Sequence, residues 1–152
     1  MAASRRLPLG SLAGTRAGTR RRGATVAPRA AGPAVRLFVS EALEHDWPGH
    51  PECAARVSAA LAGLRDSGLV GPDGVALECG YEPATLEDAS ALHNPGYVKG
   101  LDVMARTRAP LALDDGPTYI TPASVGAALA GVGAAMAAVD AAAAGGGCAV
   151  TA

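Results

Sequence analysis

From Pro122 to Val139 the sequence holds no charged residue, and Thr121 and Gly145-Gly146-Gly147 bracket this stretch. A run of that length without charge forms either a bilayer-spanning helix or a helix held in a protein core. A hydroxyl followed by Pro suits a helix start, and the three glycines stop the helix near Ala144. Its only large residues are Val125, Leu129, Val132, Met136 and Val139, spaced by four, three, four and three. One apolar stripe on an Ala-rich surface predicts a core helix, with that stripe facing the core, and not a membrane span. Cys148-Ala149-Val150 then begins a strand.

The preceding segments supply partners for that strand. Val35-Arg36-Leu37-Phe38-Val39 reads as a short buried strand. A loop follows from Ser40 to Gly49 and contains the single tryptophan, Trp47. The spacing predicts a helix from His50-Pro51-Glu52 onward, with Val57, Leu61 and Leu64 on its core face and Gly68 as a left-handed terminator. Val75 to Cys79 is a second strand. Thr85 and Asp88 form a capping-box pattern opening a short helix that ends near His93. Another helix covers Pro95 to Arg106, and Leu113 to Thr121 is a loop rich in turn residues. Strand, helices, strand, long helix, strand predicts an α/β fold with parallel pairing.

Charge divides the chain. Residues 1–36 hold eight arginines and no acid, a charge of +8, while residues 37–152 carry −9; the near-neutral total of −1 hides this asymmetry. The Arg-rich, hydroxyl-containing, acid-free composition of residues 1–34 predicts a leader of the transit-peptide kind, with removal expected between about residues 25 and 36. Gly and Pro recur too often there for an amphipathic helix, which favours a plastid over a mitochondrion. The acidic remainder, residues 35–152, has no basic face for phosphates and excludes nucleic-acid binding by the folded part. Three cysteines without a CxxC pair argue against a disulfide framework and for a reducing compartment.

Catalytic motifs are scarce. GxSxG, the P-loop and the dinucleotide turn are all missing from the sequence. His45, His50 and Cys53 have spacings that suggest a zinc site, but Pro51 intervenes and no fourth ligand has motif spacing. Glu87-Asp88 lies in a helix opening, where acids belong anyway. Asp114-Asp115 lies in a loop, open to a functional role or to a solvated turn.

Three segments in order carry more. HPECAARV (50–57), ALHNPGYVKGL (91–101) and DDGPTYITPASVGAALAGVGAAMAAVD (114–140) together resemble the opening part of the zinc-dependent histone deacetylase family. The likeness is to its class II-type branch, which includes plant and algal organellar members, and it covers residues 37–152. The resemblance implies an arginase/deacetylase-type fold, a parallel sheet flanked by helices, of which this chain holds the N-terminal part. It implies hydrolysis of acetyl-lysine amides on acetylated protein substrates, with Zn²⁺ activating water and polarising the carbonyl.

In the family, the strand matching Cys148 to Ala152 leads into an Arg-Pro-Pro-Gly-His-His-Ala run. The His pair, the zinc ligands and the catalytic Tyr are therefore expected beyond Ala152, and the isolated chain is expected to be inactive. Four positions carry over as peripheral candidates. Arg56 matches an Arg lining an internal channel beneath the zinc site. Asp115 matches a substrate-rim Asp, with Asp114 blurring the register. Trp47 would form part of the entrance wall. His93 and Tyr97 are expected to hold loops together. Two other readings stay open: a non-enzymatic product dependent on a partner, and a fragment of a same-fold small acyl-amide hydrolase.

Overall fold

The computed structural model describes residues 35–145 and 148–151; residues 1–34, over which the leader is expected, and Gly146, Gly147 and Ala152 lie outside them. The elements are β1 (Val35–Phe38), α1 (Ala55–Asp66), β2 (Val75–Glu78), α2 (Leu86–Ser90), α3 (Pro95–Thr107), β3 (Leu111–Ala112), β4 (Tyr119–Ile120), α4 (Ser124–Ala143) and β5 (Cys148–Thr151).

The first strand sits at the centre. β1 pairs in parallel with β2, Val35 opposite Val75, and with β5, Val35 opposite Cys148, giving the order β2-β1-β5. Parallel neighbours require crossovers, and the helices supply them. Between β1 and β2 the Arg36 Nε donates to Glu78 Oε1 at 2.9 Å. The α/β fold with parallel pairing is the one expected from the element order.

α4 covers one face of this sheet, against β1 and β5. The face it turns inward is not the stripe of large residues. Gly133, Ala134, Ala138 and Ala141 are buried, and Ala134, Ala138 and Ala141 cluster with Phe38. Val125 and Leu129 are half-buried, whereas Val132, Met136 and Val139 are exposed, Val139 by 68%. The physical reason is closeness. Residues 82–84 run directly over Gly133, and the Ala84 N–H donates to the Leu129 carbonyl at 3.0 Å. A backbone can approach a helix that tightly only over Gly and Ala, so Val132, Met136 and Val139 turn outward while Val125 and Leu129 line the groove beside α2 and α3.

Local chemistry fixes the other boundaries. α1 begins at Ala55, five residues after the expected start, because residues 50–54 are spent in turns. There the Glu52 N–H donates to His50 Nδ1 at 3.0 Å and the Ala54 N–H to Asp46 Oδ1 at 3.2 Å. Leu61 is buried, Val57 and Leu64 are half-buried, and Gly68 adopts φ +73°, as expected for this helix and its terminator. Thr85 and Asp88 form the capping box reciprocally, although α2 ends at Ser90, short of His93. Asn94 then caps α3, accepting from the Gly96 N–H at 2.8 Å. The stretch expected as a loop, Leu113 to Thr121, contains one arm of a small antiparallel hairpin, with Leu111 opposite Ile120. α4 has the length and composition of a membrane span, but its small-residue face is used against the sheet.

Candidate functional site

The carboxyl end of β1 delivers the chain into the loop of residues 40–54, and the β3–β4 hairpin returns beside it. In parallel sheets the strand ends and the loops beyond them are where sites are built. Here the loop and the hairpin meet around one residue, Tyr119.

Three rings pack on Tyr119. The His45 ring stacks on it at 4.7 Å and 18°, the His50 ring meets it edge-to-face at 4.7 Å, and Trp47 lies tilted at 5.4 Å. The Tyr119 hydroxyl donates to the Glu52 carbonyl at 3.0 Å. Burial first, and then the negative charges of Asp46, Cys53 and Glu52, push the Tyr119 phenol above its ordinary value. The phenol therefore stays protonated, as its hydrogen bond to a carbonyl requires.

The two histidines are engaged differently. His45 Nδ1 lies 2.8 Å from Ser124 Oγ, which also accepts from the Thr121 N–H at 2.7 Å. The Thr121-to-Ser124 turn opens α4, so His45 ties the loop to the start of that helix. His50 Nδ1 accepts from the Glu52 N–H, which assigns the ring proton of the neutral form to Nε2. Nε2 is buried without a polar partner.

His45 and Tyr119 form a shared wall between two concavities. On one side a cavity of ≈ 650 Å³ lies against α1, lined among others by Leu37, Glu41, Cys53, Arg56 and Leu61. On the other an apolar groove of ≈ 340 Å³ runs between α2, α3 and α4, past His93, Val98, Leu101 and Leu129.

The structure places the four sequence candidates as follows. Trp47 is half-buried against Tyr119. Arg56 lines the larger cavity and forms an exposed ion pair with Glu52, one turn before it. Asp114 and Asp115 are both exposed in the hairpin turn, but they are not equivalent. Asp114 Oδ1 accepts from the Gly116 N–H at 2.9 Å and the Thr118 N–H at 3.3 Å. The Thr118 side chain above all holds the Asp114 carboxyl below the usual carboxylate range; desolvation opposes it, and the Gly116 and Thr118 N–H groups add to the lowering. Asp114 is the turn's own acceptor, and Asp115 is the acid facing solvent beside it. His93 and Tyr97 face each other at 6.4 Å, both exposed, at the α2–α3 junction. Sequence reasoning did not single out Tyr119 or Ser124. The available signal was the Thr-Tyr-Ile-Thr-Pro run, in which the aromatic residue immediately precedes a helix opening.

A zinc ion needs three or four converging N, S or O ligands. Among the described residues no three His, Cys, Asp or Glu side chains gather in that way. His45 and His50 pack on Tyr119 and Cys53 lines the cavity beside it, but the three do not converge as ligands. These residues do not fit a zinc site.

The family model for the histone deacetylase domain matches residues 50–152, which is most of the chain. The chain belongs to the histone deacetylase family. The small parallel sheet with flanking helices is accordingly part of the arginase/deacetylase fold. The chain is also similar to Histone deacetylase 14, chloroplastic, of Arabidopsis thaliana, at 35% identity over 91 residues. That match takes in 55% of this chain and 21% of the relative, so the chain spans about a fifth of the curated protein it matches. The matched region begins at His50 and takes in α1, the hairpin and α4. All of Tyr119, Arg56, Asp114 and Asp115 therefore fall within the deacetylase domain, and Trp47 lies three residues ahead of it.

Proposed function

We propose that this deacetylase-domain chain supplies the amino-terminal part of a zinc-dependent deacetylase that hydrolyses acetyl-lysine amides on proteins, and that it works in a plastid. The observation that carries the reading is the match of residues 50–152 to the deacetylase domain. The site geometry supports it, because loop 40–54 and the β3–β4 hairpin meet at one end of the parallel sheet. In this reading Trp47 and Asp115 line the substrate rim. Asp114 shapes the turn that presents Asp115, and Arg56, exposed in its pair with Glu52, lines the cavity against α1. Exposed Asp115 is suited to accept hydrogen bonds from a peptide backbone, and Trp47 offers an apolar wall for the acetyl-lysine stem.

No three possible zinc ligands gather among the described residues, so the metal chemistry of the family is not assigned to any of them. We infer that the isolated 152-residue chain does not turn over substrate. The test is incubation of the purified chain with an acetyl-lysine peptide, with and without added Zn²⁺. Release of acetate that depends on zinc would refute the inference. The plastid reading draws on the acid-free leader and on the chloroplastic relative. Residues 1–36 fused to a fluorescent protein should direct it to plastids, and a cytosolic signal would refute this.

One observation favours a second reading, a chain that acts by binding a partner. Val132, Met136 and Val139 form an exposed apolar row on α4, and Leu92 nearby in sequence to α3 is 91% exposed. A clean monomer by size-exclusion chromatography with light scattering would count against it. A same-fold hydrolase of small acyl-amides shares every feature of the site, and acetyl-lysine peptide binding is the measurement that separates it.

A further inference from the structure

We propose that Tyr119 is a positioning residue that couples the loop carrying Trp47 to the hairpin carrying Asp114 and Asp115, so that the two walls of the candidate substrate rim keep one relative placement. The role in the rim rests on the deacetylase reading above; the coupling itself does not.

The geometry behind this is convergent. Tyr119 occupies the second arm of the hairpin, opposite Ala112, so its backbone belongs to the element that ends in the Asp114 turn. Its side chain belongs to the other wall. The ring lies between the imidazoles of His45 and His50 with the Trp47 indole tilted against it, and its hydroxyl holds the Glu52 carbonyl at 3.0 Å. Residues 45 to 52 are thus gripped along their length by one side chain from across the site.

The other bonds of that loop are short-range. They are His45 N–H to the Ala42 carbonyl, His50 N–H to the Trp47 carbonyl, Glu52 N–H to His50 Nδ1 and Ala54 N–H to Asp46 Oδ1, with Glu52 paired to Arg56 at the start of α1. Its other tethers to distant elements are His45 to Ser124 and Glu41 Oε2, which accepts from the Ser58 hydroxyl at 3.2 Å. Neither of these reaches Trp47. A loop with few backbone partners is ordered by the side chains that pack on it. At residues 46–52 the side chain reaching in from the hairpin is Tyr119.

The stacked His45–Tyr119 pair is also the wall common to the larger cavity and the apolar groove. Removing the ring therefore joins the two spaces as well as releasing the loop. A small residue at position 119 would leave the Trp47 indole without its flat neighbour, and water would enter from both sides.

The chain contains one tryptophan, so Trp47 fluorescence reports this loop alone. The full chain is compared with Tyr119→Ala, Tyr119→Phe and Asp114→Ala, with far-UV circular dichroism confirming that the sheet and helices persist. Tyr119→Ala is expected to move Trp47 emission to the red and to increase acrylamide quenching. Tyr119→Phe keeps the ring and should restore the wild-type emission. Asp114→Ala loosens the hairpin turn and should shift Trp47 in the same direction although it touches no ring. The double variant Tyr119→Ala/Asp114→Ala should shift it no further than Tyr119→Ala alone, the signature of two residues acting through one link. Unchanged Trp47 emission and quenching in Tyr119→Ala would overturn the proposal, as would additive shifts in the double variant.

Should Tyr119→Ala fail to fold, nuclear Overhauser contacts in the unsubstituted chain decide. Cross-peaks from the Tyr119 ring to Trp47, His45 and His50 support the coupling, and their absence refutes it. None of these readouts uses an acetylated substrate. Failure here sinks the coupling and leaves the deacetylase reading standing. Failure of acetyl-lysine peptide binding sinks the rim with the coupling intact.

Discussion

Two glycines on α4, two positions apart, should respond in opposite directions to the same substitution. Gly133 lies under residues 82–84: a β-carbon there would collide with the Glu82 carbonyl oxygen and come within 2.9 Å of Pro83 Cα and 3.0 Å of the Ala84 nitrogen. These are backbone atoms and cannot swing aside as a side-chain tip would. At Gly131 a β-carbon meets nothing within 4 Å. Replacing Gly by Ala inside a helix stabilises by about 1 kcal/mol through backbone entropy. At Gly131 that gain is the whole effect. At Gly133 overpacking costs about 1–3 kcal/mol. Pushing the 82–84 segment away also strains the 3.0 Å bond from the Ala84 N–H to the Leu129 carbonyl, a further ~1 kcal/mol if lost.

The expected result is that Gly133→Ala destabilises by about 1–3 kcal/mol net, while Gly131→Ala stabilises by about 0.5–1 kcal/mol. Urea titration followed by far-UV circular dichroism reads both, with the midpoint shifting at unchanged slope. If Gly133→Ala equals or exceeds the wild-type midpoint, residues 82–84 do not press on α4, and the account of why its bulky stripe faces outward fails.

Other outcomes follow from the same geometry. Val139→Lys should change stability by no more than about 0.5 kcal/mol, since Val139 is 68% exposed; a loss much above that in a thermal melt would mean its face is covered. Ala138→Leu, on the buried side of the same helix, should cost about 1–3 kcal/mol by overpacking against Phe38. The Tyr119 phenol is raised in the folded chain, so its contribution is complete below the ordinary tyrosine value near 10 and is lost as pH rises through the higher folded value. A difference titration at 295 nm between the chain and Tyr119→Phe should therefore show its phenolate forming above pH 10, and ionisation below pH 10 would refute the burial argument. Asp88 and Asp114 are lowered, Asp88 by the Thr85 N–H and hydroxyl and Asp114 by the Thr118 side chain with the turn N–H groups. Their contributions stand above the usual Asp value near 4 and fade as pH drops through the lower folded values. Asp88→Asn should accordingly flatten the acid limb of the stability curve, and an unchanged limb would remove the capping box as its source.

The sequence revealed the sheet more clearly than it revealed what covers the sheet. Val35–Phe38 and Val75–Glu78 could be read because short apolar runs bounded by turn residues leave few other choices. Gly68 and Thr85 marked helix ends, because caps and positive φ are local demands. Thr121-Pro122 did not: α4 starts at Ser124 after Ala123, with no side-chain cap, because Thr121 and Ser124 bond each other across the turn that precedes it. The buried face of α4 could not be read from the stripe of Val, Leu and Met. Which face goes inward depended on how closely residues 82–84 approach, and spacing within the helix carries no such information. The start of α1 was missed for a related reason: His50 and Asp46 side chains capture backbone N–H groups that a helix would otherwise use. For the site, the resemblance brought Trp47, Arg56, Asp114 and Asp115 into view. Tyr119 stayed hidden because its importance comes from contacts with His45, His50 and Trp47, about seventy residues earlier in the chain.

The position of β1 in the sheet sets an order of events. Val35 pairs with Val75 on one side and with Cys148 on the other. Closing the longer loop costs about 1 kcal/mol more chain entropy than closing the shorter one. During synthesis the first strand acquires β2 early and then waits, with its second edge bare, through the whole of α2, α3, the hairpin and α4. A bare parallel edge is a template for any passing strand. The interval between making Glu78 and making Cys148 is thus when the chain is most exposed to mispairing. A slow translation step in that interval should lower soluble yield more than the same step placed after Thr151.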